Sequence, residues 1–325
     1  MASTEKSNDE LPTSPIIFKV RGLVPDVHLD VFGTIIHVHS TILKIYSHFF
    51  FSYLDAPGSA IAISGTAFKY DWTTKVVDEG QDWQLVSNND KAGDLDIHNF
   101  KGDSTTQALA FYKLLCAIYS MPFILENPNE LFSLTALARF YAALPVLSRN
   151  LSNVLPQSPK FLLGMQDKAL ELLVTAKELR YPLLFKDTRY YSKTALSCVS
   201  ALGEDAKSSK ITDPQLKRAA TNALNEISSE IPYGQPPWGG ELEAARAHRS
   251  THLNMRVICL PCYYRTLANT NTAPYQDKLR KLIEPLWESN LSLIRAKNLK
   301  KRECYFLGVN IRDEELPWDQ TQTDW

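Results

Sequence analysis

The sequence predicts an α+β fold: a helical cluster flanked by a short three-stranded sheet, followed by an all-α region. Three observations carry this expectation. Apolar and polar residues alternate on both sides of Gly33-Thr34, helix-capping signals follow directly, and strand patterns stop after about residue 150.

The elements follow in order. Residues 1–15, MASTEKSNDELPTSP, read as a disordered polar leader without the basic start and apolar stretch of a secretory signal. The apolar segment Ile16-Ile17-Phe18 comes next. From Asp26 onward Val27, Leu29 and Val31 alternate, and Ile36 and Val38 alternate in the return strand. Gly33-Thr34 is predicted to be the two-residue turn between them, with Gly at the first position of a type II′ turn. Ser40 is expected to cap a short helix carrying Ile42, Leu43 and Ile45. Ser47 is expected to cap a second, holding Phe49, Phe50, Tyr53 and Leu54, before Pro57-Gly58 ends it.

A third strand is expected near Phe68 to Trp72, and an insertion at about 73–106, where periodicity is weak over a stretch longer than most connections in compact domains. The Trp72 and Trp83 segments are candidates for a β-ribbon. Helical spacing returns at Phe111, Leu114, Leu115 and Ile118. Asn127-Pro128-Asn129-Glu130 then places a cap, a proline at the first helical position and a capping-box acid ahead of Leu131, Leu134 and Ala138. Another helix starts at Leu144-Pro145-Val146-Leu147. Further helices are predicted near 167–180, 182–200, 213–230, 241–268 and 275–302, with a Pro- and Gly-rich loop from Pro232 to Gly240. The expected organisation is therefore a leader (1–15), a mixed domain (16–150), an all-helical domain (151–310) and an acidic tail (311–325).

Composition narrows the function classes. The 325 residues are 44% hydrophobic and 22% charged, as in ordinary globular chains. Lys and Arg number 35 against 36 Asp and Glu, so no global field draws the chain onto nucleic acid or an anionic membrane. No run approaches the roughly 20 apolar residues of a bilayer span. Five scattered cysteines, Cys116, Cys198, Cys259, Cys262 and Cys304, suit a reducing compartment, so a cytoplasmic or nuclear location is expected and the sequons at Asn150 and Asn290 are read as chance. Neither a Gly-rich phosphate loop nor a Gly-x-Ser-x-Gly elbow occurs, so the expectation is no catalytic residue, no cofactor and no small-molecule substrate. The basic run from Arg295 to Arg302 is read as cations offsetting the dipole at a helix C-terminus, ahead of a nuclear-signal reading.

The order Asp26-Val27-x-Leu29-x-Val31-x-Gly33-x-x-x-x-Val38-His39-x-x-x-Leu43-x-x-x-Ser47-x-x-Phe50 resembles the opening of a BTB/POZ domain. Downstream, Phe111 to Ser120 is similar to the third helix of that family, and Asn127 to Leu147 to its closing helix pair. The insertion and the helical second half resemble the versions found in filamentous fungi. The resemblance covers about Phe18 to Leu147 and implies a protein–protein interaction module, acting through homodimerisation or partner docking, as a scaffold or adaptor and without catalysis. Its expected interaction surface comprises Ile16, Ile17, Phe18, Phe49 and Phe51, with Phe18, Phe49 and Phe51 taken as exposed. The chain departs from the family at Ser40, where Arg or Lys is usual, which removes the cation of the groove that recruits corepressors and weakens a repressor reading. Ile124-Leu125-Glu126 is similar to the hydrophobic-x-Glu contact of adaptors for cullin-3 ubiquitin ligases, which makes cullin-3 an alternative partner.

Metal binding is weighed at two places. His37 and His39 stand two apart, a spacing that can put two ligands on one strand face, but no Cys or carboxylate lies next to them and a structural role is favoured. His248-x-x-x-His252 followed by Cys259-Leu-Pro-Cys262 has the spacing of two zinc half-sites, against which the amphipathic pattern of Leu253, Val257 and Leu260 favours small buried cysteines. Zinc binding by the helical half is thus kept as a second alternative.

Overall fold

The structure, a computed structural model, describes residues 11–56, 68–88, 97–188 and 312–322, together with positions 214, 281, 284, 288, 289 and 291–293. The chain divides into two compact units, Met1–Ser158 with Asp324–Trp325, and Pro159–Thr323. The first unit is α+β.

Its sheet has five strands: β1 (Ile16–Ile17), β2 (Val27–Val31), β3 (Thr34–Val38), β4 (Tyr70–Val77) and β5 (Asp82–Ser87), in the order β1-β3-β2-β4-β5. The expected three-stranded sheet is corrected to five because Ile16-Ile17 adds in parallel along β3 and the insertion supplies a strand of its own. The third strand begins at Tyr70, two residues after the expected start, and runs on to Val77. It then folds back so that Trp72 lies opposite Ser87 and Val76 opposite Trp83, a ribbon as expected. Trp83 pins this ribbon to the helices: its indole N–H donates to Gln107 Oε1 at 3.1 Å and its ring meets Phe111 edge-on.

The hairpin turn lies one residue earlier than predicted. Val31 pairs with Thr34, so the two turn residues are Phe32 (φ 50°) and Gly33 (φ 82°), and both being left-handed makes it a type I′ turn. Gly tolerates that conformation freely, and its N–H donates to Asp30 Oδ1 at 2.8 Å. Phe32 is held there by its N–H bond to Thr74 Oγ1 (3.0 Å) and by ring contacts with Trp83 and Phe100.

The helices are α1 (Ser40–Tyr46), α2 (His48–Tyr53), α3 (Ser104–Ile118), α4 (Pro128–Phe140), α5 (Leu144–Val154), α6 (Pro159–Gly164) and α7 (Ala169–Glu178). Ser40 does not cap α1. It is the first helical residue, and its hydroxyl donates to Asp26 Oδ2 at 2.6 Å while its N–H donates to Asp26 Oδ1 at 2.7 Å. The carboxylate arriving from the start of β2 satisfies an orphan helix N–H that a capping hydroxyl would otherwise serve. Ser47 caps α2 as expected, accepting from Phe50 N–H at 3.2 Å, and its hydroxyl also donates to the Tyr141 carbonyl at 2.5 Å. One serine thereby starts α2 and ties it to the end of α4. Asn127 caps α4, and Glu130 accepts from the Glu126 N–H and from the Asn127 side-chain amide rather than from the backbone N–H of the cap.

Between the sheet and the helices lies an aromatic core. Tyr141 stacks on Phe50 at 5.4 Å and takes Phe111 and Phe49 edge-on at 5.2 and 5.0 Å. Leu29, Ile36, Leu43, Leu114 and Leu131 fill the space around these rings, all fully buried. Each such side chain contributes about 1.5 to 3 kcal/mol through removal of apolar area from water.

α5 passes through position 150, and the second unit opens at Pro159. Among its described residues it is helical at α6, α7 and 182–188. The helices expected at 213–230, 241–268 and 275–302 lie outside the described residues except for isolated positions. No described helix is long and apolar enough to cross a membrane.

Candidate functional site

Of the residues expected to form an interaction surface, the fold brings some out and takes others in. Phe18 is corrected: it is 2% exposed, with its ring 4.7 Å from Tyr119 and 5.9 Å from Tyr112. It follows the two-residue β1, and its N–H still donates to the His37 carbonyl at 3.1 Å, which turns the side chain inward onto α3. Along β1 the sides alternate as the pleat requires, with Ile16 buried and Ile17 exposed.

α2 provides the main apolar exposure. Phe51 is 62% exposed beside the His48 ring. Phe49 is half-buried, not exposed as expected, because five rings surround it: Tyr53 at 4.8 Å, Tyr141 at 5.0 Å, Phe50 at 5.3 Å, Phe140 at 5.5 Å and Trp72 at 6.1 Å. Tyr53 and Phe140 are themselves exposed. Phe49 thus links the core to a surface face built from α2 and the end of α4. The end of α2 is fixed by Asp55, which takes the Lys44 ammonium and the Tyr70 hydroxyl. Those two hydrogen bonds hold the Asp55 carboxyl below its ordinary range.

Ile124 and Glu126 are half-buried on the loop between α3 and α4, and the residue between them is the anchor. Leu125 is buried and its N–H donates to Ser158 Oγ at 2.9 Å. From the other side Glu130 Oε2 accepts the Glu126 N–H at 3.2 Å and the buried Lys113 ammonium at 2.6 Å. The loop is held at two successive backbone N–H groups, Leu125 and Glu126, with the side chains of Ile124 and Glu126 half-buried.

His37 and His39 part company. His39 is buried, with its backbone N–H donating to Tyr119 Oη at 2.8 Å and its Nδ1 3.0 Å from the same oxygen. Burial pushes the Tyr119 hydroxyl well above the ordinary tyrosine range. His37 faces the opposite side of the sheet, against His28 and Phe68. There His37, His28 and Asp71 stand directly across from one another on β3, β2 and β4, with His28 Nδ1 2.8 Å from Asp71 Oδ1 and Asn88 donating to Asp71 Oδ2 at 2.7 Å. Burial first, and the His28 charge second, lower the pKa of His37. No group of three or more His, Cys, Asp or Glu able to hold a metal ion occurs among the described residues. His248, His252, Cys259 and Cys262 lie outside them.

Ser40 gives two hydrogen bonds to Asp26, so both carboxylate oxygens are engaged within the fold. Sequence reading placed Ile45 with the apolar side of α1, yet it is 64% exposed. At about 100° per residue, Leu43 and Ile45 point nearly opposite ways, and Leu43 takes the core. Tyr53 carried a comparable signal, standing four residues after Phe49 on the same face.

Comparison with known proteins returns no matching family model, no matching curated protein and no matching solved structure.

Proposed function

We propose that the chain is a non-enzymatic protein–protein interaction protein of BTB/POZ type, whose first unit docks a second copy or another protein through the α2 face and the β1 edge. The observation that carries this reading is the α2 face. Tyr53 and Phe140 are exposed against the half-buried Phe49, Phe51 is exposed beside His48 on the same helix, and exposed apolar surface of this kind marks interaction sites. Ile17, exposed on an edge strand of only two residues, adds an apolar contact and a short sheet edge. The order of elements, a hairpin followed by two short helices, then two further strands and three longer helices, is compatible with the resemblance seen in the sequence. The intended action is docking, with the second unit as scaffold or partner surface, in the cytoplasm or nucleus.

Light scattering of the full chain across concentration tests it. A dimer is expected, and Phe51→Glu or Ile17→Glu should shift it toward monomer; an unchanged mass in both variants removes these residues from the interface. Homodimerisation itself falls if the wild-type chain is monomeric throughout.

A second reading, a substrate adaptor of a cullin-3 ligase, is supported by the fixed loop that carries the half-buried Ile124 and Glu126. Glu126→Lys should abolish binding to purified cullin-3, and a wild-type chain that does not bind ends this reading. Zinc binding through His248, His252, Cys259 and Cys262 is the remaining alternative, and elemental analysis giving a zinc ratio near zero closes it.

A further inference from the structure

The segment 312–322, RDEELPWDQTQ, packs on residues 180–188 of the second unit. One arginine stands against four carboxylates in it, a net charge of −3. The surface it meets is cationic at both ends: Lys186 Nζ donates to Asp313 Oδ1 at 2.7 Å and Arg180 Nη1 donates to Gln322 Oε1 at 2.7 Å. Between them the Trp318 ring meets the buried Phe185 edge-on at 5.3 Å, and Leu316 is buried.

The segment organises itself with its own hydrogen bonds. Asp313–Glu315 forms one 3-10 turn, and the Leu316 N–H donates to the Asp313 carbonyl at 3.1 Å. The Gln320 amide donates to the same carbonyl at 2.6 Å, and Asp319 Oδ1 accepts from the Thr321 N–H and hydroxyl at 2.8 and 2.7 Å. These backbone bonds stay within the segment, while the surface is contacted through side chains. That is how a preorganised peptide ligand binds, since little further ordering is needed on docking. The Lys186–Asp313 pair is largely open to water on the Asp313 side, so its attraction is screened.

We infer that the 180–188 surface is a docking site for short acidic peptides bearing a Leu-Pro-Trp anchor, and that the chain's own 312–322 segment occupies it in cis. Its partner is then another protein that displays an acidic segment with an apolar-aromatic anchor, and the cis segment sets the threshold that partner must exceed.

The test is fluorescence anisotropy with a fluorescein-labelled peptide of sequence RDEELPWDQTQ, titrated with full-length wild type and with the full-length Leu316→Ala/Trp318→Ala variant. Removing the cis occupant raises the competent fraction, so the variant is expected to bind at least about tenfold more tightly than wild type. Adding Lys186→Glu to that variant should reverse the gain, and the binding should weaken as salt rises from about 50 to about 300 mM. Equal binding by wild type and a folded variant, or no binding by either, overturns the inference. Should the double variant fail to fold by circular dichroism, Asp313→Lys serves instead, because that side chain is mostly in water. It should bind the peptide several-fold better than wild type, and equal binding overturns the proposal. If the second unit's segment instead exchanges between copies, anisotropy gains will appear only together with a change in the chain's own mass, which would assign the site to a second copy and overturn the heterologous reading.

Discussion

Phe50 and Phe51 are neighbours on α2 and meet opposite surroundings: Phe50 is 1% exposed against Tyr141, while Phe51 points into water beside His48. The difference separates two regions of the first unit that share the same residue types. In the core, each ring has partners from several elements, so its removal leaves a hole. On the α2 face, rings have partners on one side only, so their removal leaves the fold intact and changes what the surface can hold. The sharpest break of the comparison is therefore Phe50→Ala. It should destabilise the first unit by about 3 to 5 kcal/mol in urea unfolding, through lost transfer energy and the cavity left beside Tyr141. A loss near that of a surface substitution would mean that Phe50 is not the packing centre.

Charge tests the same contrast at the buried side. Lys113 is almost fully buried and pairs with Glu130, which also holds the Glu126 N–H. Lys113→Met leaves Glu130 without its cation and should destabilise by about 3 kcal/mol or more, whereas Lys113→Met with Glu130→Leu should recover most of that loss. Because Glu130 anchors the 124–126 loop, the single variant should also loosen the loop, seen as faster amide exchange at Leu125 and Glu126.

Alkali probes the core with a smaller effect. Burial raises the Cys116 thiol from 9.0 to about 11, and the Tyr112 hydroxyl from 10.0 to about 12. Below the unfolded thiol value, Cys116 is protonated in both states and its contribution is complete. As pH rises from there, the unfolded chain releases its proton first, so stability declines through the folded value. The thiol alone should remove about 2 to 3 kcal/mol by that point, and Tyr112 acts in the same direction at higher pH. Urea midpoints measured at about pH 8 and about pH 11 should show this decline, and Cys116→Ala should flatten it.

How much of this was legible in the sequence depends on whether a signal was local. The Ser47 and Asn127 caps and the apolar face of α3 are set by residues within one turn and are found where expected, and the hairpin is found with its turn shifted by one residue. Ser40 was misread as a cap because Asp26, fourteen positions away, takes the donors a cap would serve, and no local pattern announces that partner. The five-stranded sheet was under-read for a similar reason: a two-residue strand such as β1 has no periodicity to detect, and β5, a ribbon candidate from Trp83, ends with Val86 facing out and Ser87 buried, which blurs its alternation. The apolar character of α2 was legible in composition but its exposed side was not. Three consecutive phenylalanines announce an apolar helix, yet which ring faces water is decided by Tyr141 and Phe140 arriving from α4.

Phe51→Glu sharpens the comparison from its quietest side. The side chain lies mostly in water, with His48 as its ring neighbour, so the substitution should alter stability by no more than about 0.5 kcal/mol. Docking should respond quite differently. A carboxylate at the centre of an apolar contact must be stripped of water without a partner, so an interface formed there should weaken by far more than the fold does. Measured side by side, unchanged urea unfolding with loss of association would separate the α2 face from the core it grows out of. Comparable losses in both would show that Phe51 supports the packing of α2, and the interface would then have to be sought along Ile17 and the β1 edge.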